Sequence, residues 1–394
     1  MTQQIALGEV ATINPHTPIH FGVDELCSFV PMDAVDEATA EISKFRTRPY
    51  KEVARGYTSF TENDVLLAKI TPCMENGKCA IARGLHNGIG FGSTEFHVVR
   101  GSSQILPEWI YYYWRLPKTR RVAERNMTGT AGQRRVPASF MENLVIPCPL
   151  VAEQRRLIHL LQIADKLRRI HRCALRLCDE FLPAAFNEFF GDLKETASHF
   201  QQNALDELIA STQLGIVRGA AAMHPDFEYA YLRMDSILGD GRVDFSDLRR
   251  VQATPKEVKD FSLYSGDFIF NTRNTRELVG KTGLVTSPPE HCLFNNNIMR
   301  IRFHDAVRPE FMISLFQSPW LKNNLERIKS GTTNVFAIYY KELADLPVVV
   351  PPLPLQQKFT ALVQRHRQLR LAQEESFRQA DHLFQTLLHQ AFAN

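Results

Sequence analysis

The 394-residue sequence lacks most of the features that would make it an enzyme, a secreted chain or a membrane protein. No stretch approaches the ~18 consecutive apolar residues that a spanning helix requires, so no membrane association is expected. The opening MTQQIALGEVATINP has neither a basic nor an apolar leader segment, so no export signal is expected. Seven cysteines form no CxxC pair and no Cys/His spacing suited to zinc. Reduced, partly buried thiols and a cytoplasmic setting are therefore expected, and no metal. Thirteen histidines show no HExxH arrangement. The net charge is only +3, so any nucleic-acid role must rest on local clusters.

Motifs for chemistry are near misses. GIGFGS, with Gly88, Gly90 and Gly92, is GxGxG without the third glycine or an opening helix, and reads as a turn before a strand. Asn76-Gly77-Lys78 lacks the flanking glycines and the Ser/Thr of a phosphate loop. Ser287-Pro288-Pro289-Glu290 lacks the aromatic residue that would stack on a flipped base. Pro225-Asp226-Phe227-Glu228-Tyr229 places tyrosine where a metal-dependent nuclease needs lysine. No catalysis by this chain is expected.

What the sequence does contain is itself, twice. Pro107-Glu108 recurs 202 residues later as Pro309-Glu310. Pro117 recurs as Pro319, Arg125 as Arg327, Gly129-Thr130 as Gly331-Thr332, Leu144 as Leu346, Pro149 as Pro351 and Gln154 as Gln356. Asp179 recurs as Asp381 and Phe190 as Phe392, whereas Asp64, Gly77 and Lys78 match Asp267, Gly280 and Lys281 one residue further on. A period this long is a duplicated domain, since solenoid repeats run about 20–50 residues.

Each copy opens on strand-like runs: DVLLAKITP and STEFHVVR in the first, GDFIFNTR and NIMRIRF in the second. Helices should start at Pro107-Glu108 and Pro309-Glu310, where proline and an acid sit together. The WIYYYW run (Trp109–Trp114) has helical spacing and reads as core. After Pro149, apolar residues fall at Leu157, Leu160/Leu161, Ala164, Leu167, Ile170, Ala174, Leu177/Cys178 and Phe181. After Pro354 they fall at Phe359, Leu362/Val363, Leu369, Ala372, Phe377/Ala380, Leu383 and Leu387, with His366 at the position Ala164 holds in the first copy. Alternating spacings of three and four describe a coiled-coil seam. Two such helices most simply bury their stripes against each other, antiparallel, within the chain; homodimerisation through these stripes is the competing arrangement. Pro183 should interrupt the first helix or start a separate short one, because proline removes a backbone donor.

Basic clusters supply the functional signal. From Arg115 to Arg135 there are seven Arg/Lys residues against one acid, Glu124, and the run ends in MTGTAGQRR. The second copy offers Lys322, Arg327 and Lys329 followed by SGTTN. Further donors stand at Lys44, Arg46, Arg48 and Lys51 and in NTRNTR (Asn271–Arg276). Hydroxyl, amide and guanidinium groups bond to phosphate oxygens and base edges. Between Gln154 and Cys178, Arg155, Arg156, Lys166, Arg168, Arg169, Arg172 and Arg176 oppose only Asp165, an excess expected to face water.

These residues resemble the specificity subunits of Type I restriction-modification systems. DVLLAKITPCMENGKCAIA (Asp64–Ala82) and GFGSTEFHVVR (Gly90–Arg100) resemble segments of that family's target recognition domains. GTTNVFAIYYKELADLPVVVPPLPLQQ (Gly331–Gln357) resembles the passage from such a domain into a spacer helix. LFQTLLHQAFAN (Leu383–Asn394), echoed by FLPAAFNEFFGD (Phe181–Asp192), resembles the family's helix ending. The resemblance implies an α+β fold: two similar target recognition domains separated by two long antiparallel helices that form an intramolecular coiled coil, pseudo-twofold symmetric. The expected divisions are 1–149, a central spacer helix over 150–192, 193–350, and a C-terminal spacer helix over 351–394.

The resemblance further implies a non-catalytic chain that reads a bipartite, asymmetric site on double-stranded DNA, with half-sites roughly one turn, or about 34 Å, apart. It implies two modification subunits, which use S-adenosylmethionine to methylate adenine, and two restriction subunits dependent on ATP and magnesium. No cofactor is expected in this chain. The residues expected to contact DNA are Lys69, Lys78, Thr128, Thr130, Gln133, Arg134 and Arg135 in the first copy. In the second they are Arg273, Asn274, Arg276, Lys281, Thr332, Thr333 and Asn334. The rival reading is a duplicated protein scaffold without DNA readout.

Overall fold

The structure, a computed structural model, describes residues 3–393 apart from 19, 20, 44, 131 and 333. It divides into two compact units, residues 1–173 with 374–394, and residues 174–373.

In the first unit the expected strand runs form Val65–Ala68 and Phe96–Gly101. They are the middle of an antiparallel sheet in the order Ala11–Ile13, Phe96–Gly101, Val65–Ala68, Cys79–Ile81. A second sheet runs Arg46–Pro49, Leu26–Val30, Ile89–Gly92, Thr58–Thr61, with the two central strands parallel. Gly88 closes the turn His86–Gly88 with φ +71°, as the turn-before-strand reading expects, whereas Gly90 and Gly92 stand within the strand that follows. A Cβ on Gly90 would lie 2.2 Å from the Phe60 ring, which is fully buried beneath it. Helices Pro107–Arg115 and Pro117–Arg125 follow, each opened by its proline. The first buries Trp109, Ile110, Tyr111, Tyr112 and Trp114, so the aromatic run is core.

The second unit repeats this plan. Its antiparallel sheet runs Ile209–Leu214, Ile298–Phe303, Phe268–Asn271, Thr282–Leu284. Its smaller sheet runs Arg249–Val251, Tyr229–Leu232, Leu293–Phe294, with the last two parallel. Pro309–Gln317 and Pro319–Arg327 are the equivalent helices. One ion pair on a buried aspartate also repeats: Arg100 Nη2 meets Asp64 at 2.7 Å, and Arg302 Nε meets Asp267 at 2.6 Å.

A two-stranded clasp leads into each long helix: Gln3–Ala6 with Val145–Cys148, and Gln201–Ala204 with Pro347–Val350. The retained glutamines explain the junction. Gln154 is fully buried, accepts from Leu106 N at 2.9 Å and donates to Gln104 O and Pro149 O, both at 2.8 Å. Gln356, equally buried, accepts from Arg308 N at 2.9 Å and donates to Ala306 O at 3.3 Å and Pro351 O at 2.8 Å. All three partners are 202 residues apart in the two copies. Gln154→Leu keeps the volume but strands these three backbone groups, and is expected to cost at least about 3 kcal/mol at roughly 1–3 kcal/mol per buried orphan. Urea denaturation of the variant measures the loss.

The long helices are Val151–Phe190 and Leu353–Ala391. Within the first unit, Ile158, Leu161 and Ala164 share a core with Phe384 and Leu388, while Arg168 meets Asp381 at 3.2 Å. Within the second, His366 Nε2 donates to Cys178 O at 2.8 Å, Arg370 meets Asp179 at 2.9 Å, and Phe186 packs on Phe359. Numbers rise along one helix as they fall along the other, so the pairing in each unit is antiparallel. Arg168–Asp381 and Arg370–Asp179 are one pair seen from each copy.

Two details depart from the sequence expectation. The first helix runs unbroken through Pro183. The lost backbone bond and ring clash cost ~3 kcal/mol. Burial of Phe186 and Phe190 against Phe311 and Phe359 offsets this, at about 1.5–3 kcal/mol per side chain. The second departure concerns the seam. Leu160, Leu167 and Ile170 in the first unit, and Leu177 and Phe181 in the second, are exposed. In the first unit the inward face instead carries Asp165 and Arg168, which Arg115 and Asp381 meet there. Leu161 and Ala164 in the first unit and Cys178 in the second are buried as expected, so the stripe is divided between inward and outward positions.

Candidate nucleic-acid interface

In each unit a hairpin leaves the second short helix and docks on the end of a central sheet strand. Residues Thr128 and Arg135 exchange backbone bonds of 2.9 and 2.8 Å. Ile70 pairs with Arg135, Val136 N donates to Lys69 O at 2.9 Å, and Thr71 N donates to Arg134 O at 3.1 Å. The second unit builds the same element from Ser330–Thr332 and Val335–Ala337, with Ser330 opposite Ala337. Arg273–Asn274 pairs alongside, and Ile338 N donates to Thr272 O at 3.0 Å. The repeated glycines have a steric reason. A Cβ on Gly129 would lie 2.9 Å from Gln133 O, and one on Gly331 2.4 Å from Val335 O. Only glycine lets the two arms of the hairpin approach this closely.

The surfaces of the two hairpins differ. In the first, Thr128, Thr130 and Gln133 are exposed at the tip. Arg135 forks onto Glu95, with Nε and Nη2 at 2.9 and 2.8 Å from its two oxygens. That fork holds the Glu95 carboxyl below the usual carboxylate range. Arg134 bonds Glu75 at 3.1 Å and lies 3.9 Å from Glu124. Lys69 is half-buried beside the same strand end. His97 is buried behind it, with Nε2 2.8 Å from Val136 O, and burial lowers its pKa. Lys78 is set apart from this group, its Nζ reaching Met32 O at 3.4 Å.

In the second unit Arg273 and Asn334 are exposed. Asn274 directs its amide towards Met234 Sδ at 3.9 Å. Arg276 bonds Glu326 at 2.9 Å and lies 5.6 Å over the Phe336 ring. Lys329 bonds the other Glu326 oxygen and Arg276 O, both at 2.7 Å. Lys281 is half-buried and its carbonyl accepts from Asn271 N at 2.8 Å. Thr333 and the side chain of Thr332 lie outside the described residues, as does Lys44. The structure therefore groups Lys69, Thr128, Thr130, Gln133, Arg134 and Arg135 in one unit, and Arg273, Asn274 and Arg276 around the hairpin of the other.

Sequence reasoning missed the acids that hold these cations. The signal was present for one of them: Glu124-Arg125 recurs as Glu326-Arg327. It also counted as surface charge several arginines that turn inward. Arg115 Nη1 and Arg168 Nη2 meet buried Asp165 at 3.0 and 2.6 Å, and Arg169 meets it at 2.9 Å. Arg169 also pairs with Glu41, and Arg172 bonds Ala38 O at 2.9 Å. Among the described residues no group of three or more His, Cys, Asp or Glu side chains could hold a metal, and no helix is long and apolar enough to cross a membrane.

No protein-family model matches the chain. It is similar to the Type I restriction enzyme EcoAI specificity subunit of Escherichia coli, 40% identical over 168 residues, covering 41% of this chain and 28% of that one. It is also similar to the EcoEI specificity subunit of Escherichia coli, 43% identical over 155 residues, covering 39% and 26% respectively. The matched stretch thus spans about a quarter of the length of these two relatives. In fold the chain is similar to the S subunit of a Type-I restriction-modification system from M. genitalium, with a TM-score of 0.63 and 13% identity over 99% of this chain and 96% of that one. The chain is therefore similar to Type I restriction enzyme specificity subunits in sequence over part of its length, and to a Type-I S subunit in fold over nearly all of it.

Proposed function

We propose that this chain is the DNA-reading specificity subunit of a Type I restriction-modification complex, each unit reading one half of a bipartite, asymmetric site. The observation that carries this reading is the hairpin, built in the same register in both units and furnished with different side chains. A shared scaffold gives both units one way to approach DNA. Different donors, Gln133 and Arg134 against Val335 and Phe336 at the matching positions, give them different half-sites. The target recognition domains are taken as 1–149 and 193–350, with the spacer helices over 150–192 and 351–394.

The chain supplies recognition and no catalysis. Two modification subunits would bring S-adenosylmethionine and methylate adenine; two restriction subunits would bring ATP and magnesium. Modification subunits dock on the outward apolar stripes of the long helices, where Leu160, Ile163, Leu167 and Ile170 of the first unit present a 3-4-3 spacing to solvent.

Modification-sensitive sequencing of DNA from cells co-expressing the chain with its modification subunit tests this. The expected result is methyladenine at one split, asymmetric motif that vanishes when the chain is deleted. Methylation that persists without the chain would overturn the reading. Arg273 is an exposed cation beside the second hairpin. Arg273→Ala is expected to weaken DNA binding by the complex and to lower the log–log salt slope by about 1 if it touches a phosphate. Relaxed selectivity at one position of the second half-site is expected instead if it touches a base, as random-duplex selection would report.

A further inference from the structure

One acidic position repeats where the hairpin side chains do not. Glu124 and Glu326 occupy the last turn of the second short helix in each unit, 202 residues apart. Each faces a guanidinium beside the hairpin, yet that guanidinium comes from a different place in each copy. In the first unit it is Arg134, on the hairpin strand, 3.9 Å from Glu124 and bonded to Glu75 at 3.1 Å. In the second it is Arg276, from the loop after Arg273–Asn274, bonded to Glu326 at 2.9 Å. The residue matching Arg134 there is Phe336, and the Arg276 guanidinium lies 5.6 Å over its ring. The acid is constant, the aromatic or cationic strand residue varies, and an arginine ends up beside the hairpin in both.

We propose that Glu326 and Glu124 are positioning residues, each fixing one arginine, Arg276 or Arg134, beside its hairpin for contact with the DNA half-site that its unit reads. The inference rests on the DNA-reading function proposed above. The geometry suits the task in the second unit. Glu326 uses one oxygen on Arg276 Nε and the other on Lys329 Nζ, and Lys329 in turn holds Arg276 O at 2.7 Å. The Arg276 backbone and side chain are thereby tied from two directions. Its side chain is still 60% exposed, and the Glu326 bond engages Nε. The terminal nitrogens are the ones that fork onto phosphate or onto guanine O6 and N7. An arginine held in this way loses less rotamer freedom on binding than a free one. The two cations bonded to Glu326 keep its carboxyl below the usual range, so the tie is ionised at neutral pH.

The test uses the complex of the full chain with its modification subunits and a pool of random 40-base-pair duplexes, retained DNA being sequenced. Wild type, Glu326→Gln, Arg276→Ala and the double variant are compared, with thermal denaturation of each. Glu326→Gln is expected to weaken enrichment of one half-site about tenfold and to leave the other half-site and the melting temperature unchanged. In the Arg276→Ala background the same substitution is expected to add nothing, because both changes remove one contact. Additive losses, or equal loss at both half-sites, would show that Glu326 acts through general stability and would overturn the proposal, as would unchanged enrichment. A wild-type complex that enriches no motif would instead overturn the DNA-reading function itself, so the two failures are distinguishable.

Discussion

Asp165→Ala is expected to cost the first unit about 3–5 kcal/mol, the loss typical when one partner of a buried ion pair is removed. Asp165 is fully buried, and its two oxygens are shared among Arg115, Arg168 and Arg169 at 3.0, 2.6 and 2.9 Å. Arg115 and Arg168 are themselves buried, with the Phe384 ring 5.1 and 4.2 Å from their guanidinium carbons. Removing the carboxylate leaves these two cations facing each other in a low dielectric, with Asp381 at 3.2 Å from Arg168 as the remaining acid. At 2–4 °C per kcal/mol the melting temperature should fall by roughly 10 °C. The double variant Asp165→Leu/Arg115→Met should recover much of the loss, since apolar replacement of a buried pair is often close to neutral.

The sign with pH follows from the charge. Burial opposes ionisation of Asp165, but the three guanidiniums outweigh it and hold the carboxyl below the usual range. A depressed folded pKa contributes stability that is present above the unfolded value of about 3.9 and is lost as pH falls through the folded value. The gap between wild type and Asp165→Ala should therefore be full at pH 7 and narrow below about pH 4. Denaturant titrations at both pH values measure it. An Asp165→Ala chain as stable as wild type at pH 7 would show that the network contributes nothing.

That network marks the limit of what the repeat could convey. The duplication made the fold legible because helix prolines, hairpin glycines and the junction glutamines meet requirements that backbone geometry imposes on both copies. Asp165, Arg115 and Arg168 correspond to Arg367, Gln317 and Arg370, so no comparison of the halves could pair them. Their partnership depends on a helix rotation that only the packed domain fixes. Heptad spacing located the helical stripe but assigned all of it to the internal seam, because spacing alone does not distinguish the buried positions, Leu161 and Ala164, from the outward ones, Leu160, Leu167 and Ile170. At the candidate interface, the Gly-Thr loops and their arginines were legible as composition. That Arg134 and Arg135 lie on Glu75 and Glu95 was not, since these acids are 59 and 40 residues away in the chain. The continuity through Pro183 was hidden for a similar reason. Local backbone cost is visible in sequence, whereas the aromatic cluster that offsets it is assembled from Phe186, Phe190, Phe311 and Phe359.

Ile163→Glu/Ile170→Glu is expected to leave folding intact and to abolish retention of the modification subunit by the chain. Ile163 and Ile170 are 54% and 53% exposed and stand seven residues apart on one helix face, with Leu160 and Leu167 between and beside them. Because they contribute little to the core, glutamate, a good helix former, should shift the melting temperature by no more than a degree or two. Docking is different. A partner helix covering this stripe would bury both side chains, at about 1.5–3 kcal/mol each for full burial, and roughly half of that remains available from half-exposed positions. The double variant forfeits about 1.5–3 kcal/mol in this way and adds two carboxylates that must be desolvated. Since each 1.4 kcal/mol is tenfold, the lost burial alone should lower affinity by about one to two orders of magnitude, and desolvation of the carboxylates lowers it further. Gln162→Glu, on the polar side of the helix, adds a carboxylate off the stripe and should leave the complex assembled. Co-purification of tagged chain with the modification subunit reads the outcome. Equal recovery with wild type and the stripe variant would move the docking surface away from these helices. Loss with both variants would assign the effect to charge rather than to the apolar face.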